Sequence, residues 1–250
     1  MEEITSVNNQ LVKDTLKLQQ KKFRDIENKF ILEGRKAIEE AVNFGIKTDY
    51  LFVNFSAADK YDFYNGKKIL TNETVLKKIS STDTPPDAVG VAVKKEYSYE
   101  IFKSMSRVIL LEGIKDLGNL GTVFRTAAAF GIDGIVLYGD CADIYNPKCV
   151  RSSVGNLWKI PFIYVKDLDI LEKIFGDWQR TATLPLSNNL LKDYKPSEKT
   201  LLMFGSEADG LSQELKDFST DDVKIEMNKG VESLNLAVSC AVVTYKVMFG

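Results

Sequence analysis

Val108-Ile109-Leu110-Leu111-Glu112-Gly113-Ile114-Lys115-Asp116-Leu117-Gly118-Asn119-Leu120-Gly121 opens on consecutive apolar residues and closes in a glycine-rich turn. An apolar run this short, bounded by a turn, reads as a buried strand of a parallel sheet. A helix over 122–130 follows, then a strand over 135–138. Asn146-Pro147 supplies a further helix start, with Asn as cap and Pro in the first turn. Beyond it come a strand over 162–165, a helix over 168–175, strands over 181–184, 201–204 and 223–227, and a last helix from about Asn235. Alternation of this kind specifies an α/β unit with a mostly parallel sheet. Open sheets place ligands outside the carboxyl ends of their strands. The turns after residues 111, 204 and 227 are therefore where chemistry is expected.

Upstream, the pattern predicts a smaller α/β unit. It has helices over 9–22, 35–44 and 75–79 and strands over 30–34, 50–53, 69–70 and 89–93, with Pro85-Pro86 breaking the chain before the last. Residues 94–106 are charged and weakly patterned. The expected organisation is a first domain over 1–95, a linker over 96–106 and a second domain over 107–250.

Composition narrows the chemistry. The 250 residues are 44% hydrophobic and 27% charged, as in ordinary globular proteins. No apolar run approaches the roughly 20 residues of a membrane-spanning helix. The first residues, Met1-Glu2-Glu3-Ile4, lack the basic and apolar regions of a signal peptide, which points to the cytoplasm. Cys141, Cys149 and Cys240 show no CxxC spacing, so neither a zinc site nor a disulfide framework is expected. Histidine is absent, which argues against serine–histidine and cysteine–histidine catalysis and most catalytic zinc sites. No metal is expected. Net charge is −2, yet residues 1–95 carry 16 basic against 14 acidic side chains. Their densest basic stretch is Lys13, Lys17, Lys21, Lys22, Arg24 and Lys29, which reads equally as a solvated helix face or as a set of phosphate contacts.

Three turns carry the candidate site. In the first, Asn119 near a helix N-terminus can bond a substrate oxygen, and Arg125 further along that helix can fork onto a phosphate. In Gly205-Ser206-Glu207-Ala208-Asp209-Gly210-Leu211, two glycines permit close backbone approach to a ligand, and Glu207 sets a carboxylate at a strand end. In the third, Ile225-Glu226-Met227 leads to Gly230 and Ser233-Leu234-Asn235, where Ser233 or Asn235 caps the last helix. Neither GxGxxG nor GxxxxGK[ST] occurs, which disfavours dinucleotide and P-loop readings.

Taken together the turns resemble the SpoU (TrmH-like) branch of the SPOUT RNA methyltransferases. Asp116, Asn119, Gly121 and Arg125 match the first motif; Gly205, Glu207, Gly210 and Leu211 the second; Ile225, Met227, Gly230 and Ser233-Leu234-Asn235 the third. Residues 146–155 resemble the family's connecting helix, and residues 10–13 and 30–34 its ribosomal-protein-like RNA-binding domain. The chain departs from the family at Leu117, Ser206 and Glu226, where Pro, Asn and Pro are usual.

The resemblance implies an α/β catalytic domain with a trefoil-knotted, mostly parallel sheet, preceded by a small ribosomal-protein-like domain. It implies S-adenosylmethionine as cofactor, held by Gly205, Ser206, Glu207, Gly210, Ile225, Met227, Ser233 and Leu234. Asn119, Arg125, Glu207, Ser233 and Asn235 become the catalytic candidates for methylation of a ribose 2′-hydroxyl in RNA. Lys13, Lys17, Lys21, Lys22, Arg24 and Arg151 become the candidate RNA contacts. A homodimer through the knot region is implied as well. The basic first unit favours large-subunit ribosomal RNA as substrate over transfer RNA. A catalytically silent RNA-binding assembly factor is the remaining alternative, and retention of Asn119, Arg125, Glu207 and Asn235 argues against it.

Overall fold

The structure, a computed structural model, describes residues 2–250. Its contacts divide the chain into two units. The first runs to Lys95 and also takes in Asp143–Trp158; the second comprises Glu96–Ala142 and Lys159–Gly250.

In the first unit the chain forms β1 (Glu2–Glu3), α1 (Gln10–Lys17), α2 (Lys21–Glu27), β2 (Lys29–Glu33), α3 (Arg35–Asn43), β3 (Thr48–Asn54), β4 (Lys68–Thr71), α4 (Glu73–Ile79) and β5 (Ala88–Val93). The strands make one mixed sheet in the order β1-β4-β3-β5-β2. Val12, Ile31, Phe52, Ile69 and Val91 fill the core between this sheet and α1 and α4. The single helix expected over 9–22 is two. The carbonyls of Leu18 and Gln19 accept from Arg24 Nη1 at 2.9 and 2.8 Å, rather than from later helix amides. Asn28, in the left-handed region at φ 52°, then ends α2.

Arg24 corrects a sequence expectation. Its guanidinium is buried and paired with Asp143 at 2.6 Å, so it holds the fold and is not offered to RNA. Asp143 belongs to a segment that the sequence places with the second domain but that packs in the first unit. Phe30 packs in tilted contact with Tyr145 and Trp158 there, with centroids 4.7 and 5.2 Å apart. Arg151 is likewise engaged, donating to the buried Glu33 at 2.7 Å, which makes it a poor RNA contact. Lys13, Lys17, Lys21 and Lys22 are exposed; Lys17 and Lys21 pair with Asp14 and Asp25.

The second unit contains β6 (Arg107–Glu112), α5 (Leu117–Phe130), β7 (Gly134–Tyr138), β8 (Phe162–Val165), α7 (Leu168–Phe175), β9 (Gln179–Thr183), β10 (Thr200–Phe204), α8 (Gln213–Phe218), β11 (Asp221–Val223) and α9 (Leu236–Phe249). Helix α6 (Pro147–Ser152), between β7 and β8, lies in the segment that joins the first unit. The six strands are all parallel, in the order β11-β9-β10-β6-β7-β8. Residues 96–106 are not a bare linker: Phe102 is fully buried in this unit's core, beside Leu110, Val136, Leu171 and Phe175. A Cβ on Gly134 would stand 2.6 Å from the Phe102 ring, so glycine at the start of β7 admits that ring.

The topology locates a crevice. After β6 the chain crosses through α5 to β7 on one side, and after β10 it passes through α8 to β11 on the other. β6 and β10 are nonetheless neighbours, paired from Arg107↔Thr200 to Leu111↔Phe204. Where connections diverge from adjacent parallel strands, a cleft opens at the carboxyl ends.

Candidate active site

Each turn is shaped by local bonds before it contributes to a site. Asp116 caps α5 by accepting the Asn119 N–H at 2.7 Å, which sets Asn119 in the helix's first turn. After β10, the loop doubles back on itself: Gly210 N–H donates to Ser206 O at 3.0 Å and Asp209 N–H to Ser206 Oγ at 3.1 Å. A Cβ on Gly205 would lie 1.9 Å from the Gly210 carbonyl carbon, so this return requires glycine. Asn235 caps α9, its Oδ1 accepting from Ala237 N–H at 2.9 Å and Val238 N–H at 3.3 Å.

These caps orient a relay. With its oxygen committed to α9, Asn235 turns its Nδ2 to Asn119 Oδ1 at 3.0 Å. Asn119 in turn donates through Nδ2 to Glu207 Oε1. Three residues from three separate turns thus form one directional hydrogen-bonded chain, ending on a carboxylate.

Glu207 is on the wall of a cavity of about 480 Å³. Gly205, Ser206 and Gly210 share the wall with it; Ile225 and Met227 contribute from beyond β11, and Ser233 and Leu234 from the approach to α9. All eight expected cofactor contacts therefore surround a single cavity. Asn119 and Asn235 do not line it but join it through Glu207. Arg125 is exposed on α5, and no described residue forms an ion pair with it. Sequence reasoning missed Thr183, Leu184, Pro185 and Leu186, which follow or end β9, and Lys216 of α8. The end of a parallel strand was the available signal for the first group, since it faces the same side as the ends of β6 and β10.

The thiols take no part. Cys149 and Cys240 are buried, and burial pushes the Cys240 thiol up to about 12. Burial also raises Cys141, whose S–H donates to the Leu111 and Tyr138 carbonyls. Neither is an activated nucleophile. Among the described residues no group of His, Cys, Asp or Glu is placed to hold a metal ion.

The family model described as the SpoU rRNA methylase family matches residues 106–245. The chain belongs to the SpoU rRNA methylase family. A second model, an MRM3-like substrate binding domain, matches residues 9–90 of this SpoU methylase. An uncharacterized tRNA/rRNA methyltransferase of Synechocystis is 34% identical, over 97% of this chain and 92% of that one. The 23S rRNA (guanosine(2553)-2′-O)-methyltransferase RlmP of Bacillus subtilis is 29% identical over 98% of each. Among solved structures, an AdoMet-bound rRNA methyltransferase from Sinorhizobium meliloti superposes with a TM-score of 0.86 at 28% identity, covering 98% of this chain and 96% of that one.

Proposed function

We propose that this SpoU methylase transfers the methyl group of S-adenosylmethionine to a ribose 2′-hydroxyl in large-subunit ribosomal RNA. The observation that carries the proposal is the relay from Asn235 through Asn119 to Glu207 on the rim of the cavity. The cavity suits the cofactor. Its volume of about 480 Å³ falls within the roughly 300–1,000 Å³ usual for small-molecule and cofactor pockets. At Gly210, which lines it, no atom lies within 4 Å of the Cβ position, so bare backbone fronts open space. When bound, the cofactor supplies an electrophilic methyl on a sulfonium.

The protein's own task is orientation. A 2′-hydroxyl must approach in line with that methyl, and alignment of reacting groups contributes several kcal/mol. Glu207, its carboxylate steered by Asn119, accepts a hydrogen bond from the ribose. Ser233, which also lines the cavity, offers a hydroxyl to the same sugar. Arg125, without an ion-pair partner among the described residues, grips the adjacent phosphate as a bidentate donor and favours loss of the hydroxyl proton. A guanidinium has no acceptor site and is not itself the base; the proton passes to solvent water as the C–O bond forms and the C–S bond breaks. The exposed Lys13, Lys17, Lys21 and Lys22 neutralise RNA phosphates, and the location is cytoplasmic, with the ribosome.

The homodimer belongs to the same proposal. Helix α9 is apolar all round: Ala237, Cys240, Val243 and Val247 are buried within the unit, while Val238, Val242, Tyr245 and Phe249 face out. An exposed apolar helix face of this kind fits a partner surface, and a second copy is the reading adopted. The trefoil knot is proposed from the path of the chain. From β11 at the sheet edge, residue 224 bonds to Asn189 and Leu191, and the chain then returns to set Tyr245 and Phe249 against Phe130 of α5.

The test is incorporation of labelled methyl from S-adenosylmethionine into ribosomal RNA by the purified protein and its Arg125→Lys variant. Transfer by the parent, reduced at least about tenfold in the variant, is the expected result. No transfer by the parent would refute the activity, and near-normal turnover by Arg125→Lys would refute the bidentate grip.

A further inference from the structure

Glu112 and Tyr138 close two adjacent strands, paired in register at the ends of β6 and β7. Neither belongs to the cavity wall, and neither joins the relay. Both reach instead to the start of α8. Glu112 Oε2 accepts the Ser212 N–H at 2.7 Å, and the Tyr138 hydroxyl donates to Glu214 Oε2 at 2.7 Å. Ser212 is the N-cap of α8, and the residue before it, Leu211, lines the cavity.

The loop between β10 and α8 needs such an anchor. Its internal bonds between Ser206, Asp209 and Gly210 define its shape but not its angle to the sheet. The entry is fixed because Phe204 is hydrogen-bonded into β10. The exit is fixed at Ser212, by a carboxylate projecting from the neighbouring strand. Hydrogen bonds from an N–H to an ionised acceptor are roughly twice as strong as neutral ones. The Tyr138 contact adds a second tether within the first turn of the helix, at Glu214.

We infer that Glu112 and Tyr138 are positioning residues that hold the Gly205–Leu211 wall at the angle required for cofactor binding, acting through the first turn of α8. The inference deepens the proposed function and rests on its assignment of S-adenosylmethionine to the cavity. Burial, and then the Glu214 carboxylate that the hydroxyl bonds, hold the Tyr138 phenol well above the ordinary tyrosine range, so it remains a donor.

Two measurements on the full chain test the inference: calorimetry with S-adenosylmethionine, and amide hydrogen exchange across residues 205–214 of the protein alone. Glu112→Ala is expected to bind about tenfold more weakly or worse, with faster exchange at Ser212 and in the loop. Glu112→Gln keeps an acceptor oxygen, so its affinity is expected within about threefold of the parent. Tyr138→Phe removes one hydrogen bond while keeping the ring, and a loss of about threefold with an unchanged melting temperature is expected. With RNA present, the KM for S-adenosylmethionine rises and kcat holds. Parent-like affinity and parent-like loop exchange in Glu112→Ala would overturn the inference. Should that variant fail to fold, unchanged exchange in Tyr138→Phe overturns it equally. A parent that takes up no S-adenosylmethionine counts against the proposed function, while loop exchange still decides whether the tether exists.

Discussion

Asn235 donates its side-chain amide to Asn119 across 3.0 Å, joining residues 116 positions apart in sequence. The bond has only one workable polarity. Asn235 Oδ1 already caps α9, so Nδ2 must face Asn119, and Asn119 must then present its own Nδ2 to Glu207. Two helix N-termini and one loop thereby agree on the direction of a carboxylate.

Asn119→Asp tests that agreement. The change replaces the donor facing Glu207 with an acceptor, so the carboxylate swings away from its bonded position. Misplacement by about 1 Å can cost about 10²-fold in rate. Methyl transfer at saturating S-adenosylmethionine is expected to fall by about that factor. Parent-like single-turnover rates would break the link between relay and catalysis.

Gly205→Ala addresses the wall itself. The added methyl would sit 1.9 Å from the Gly210 carbonyl carbon, so the loop must open. Overpacking of this kind costs about 1–3 kcal/mol, equivalent to roughly 5- to 150-fold in affinity if it falls on binding. Calorimetry with S-adenosylmethionine is expected to show that loss. Affinity equal to the parent's would mean that the loop return plays no part in holding the cofactor.

In the first unit, Arg24 and Lys22 test folding and the proposed RNA contact separately. Arg24→Ala strands the nearly buried Asp143, and losing one partner of a buried pair costs about 3–5 kcal/mol. Urea denaturation is expected to show a cost of that size. Lys22→Ala is expected to leave the denaturation midpoint unchanged but to lower the salt slope of RNA binding by about 0.9. Equal stability of Arg24→Ala and the parent would contradict the structural role assigned to the guanidinium.

These residues also show what a sequence can convey. The strand ends and their glycines were legible because apolar runs and turn residues are local signals, whereas the eight expected cofactor contacts, which line one cavity, came from the resemblance of the three turns to a family. The partner of a helix is not a local property. Asn146 and Pro147 mark where α6 starts, yet nothing in them says that residues 143–158 pack in the first unit. Arg24 sits among exposed lysines at similar spacing, and its burial follows from Leu18, Gln19 and Asp143, which lie close only after folding. Thr183 to Leu186 carry no charged group to flag them, although they line the cavity. Residues 96–106 read as a linker because Glu96, Glu100 and Lys103 interrupt any apolar periodicity, although Phe102, with Tyr97 and Met105 beside it, anchors the segment in the core.

Helix α9 offers a test of assembly. Tyr245 is 57% exposed among Val238, Val242 and Phe249. A charge placed in the centre of an apolar interface is left unpaired and desolvated. The parent is expected to sediment as a dimer and Tyr245→Arg as a folded monomer. A monomeric parent, or a variant that remains dimeric, would remove α9 from the interface.

The most direct measurement is a map of ribose 2′-O-methyl groups in ribosomal RNA from cells with and without this protein. The account predicts one 2′-O-methyl group in large-subunit RNA that disappears with the protein and returns on re-expression of the parent but not of Asn119→Asp. Identical maps from the two cell lines would contradict it.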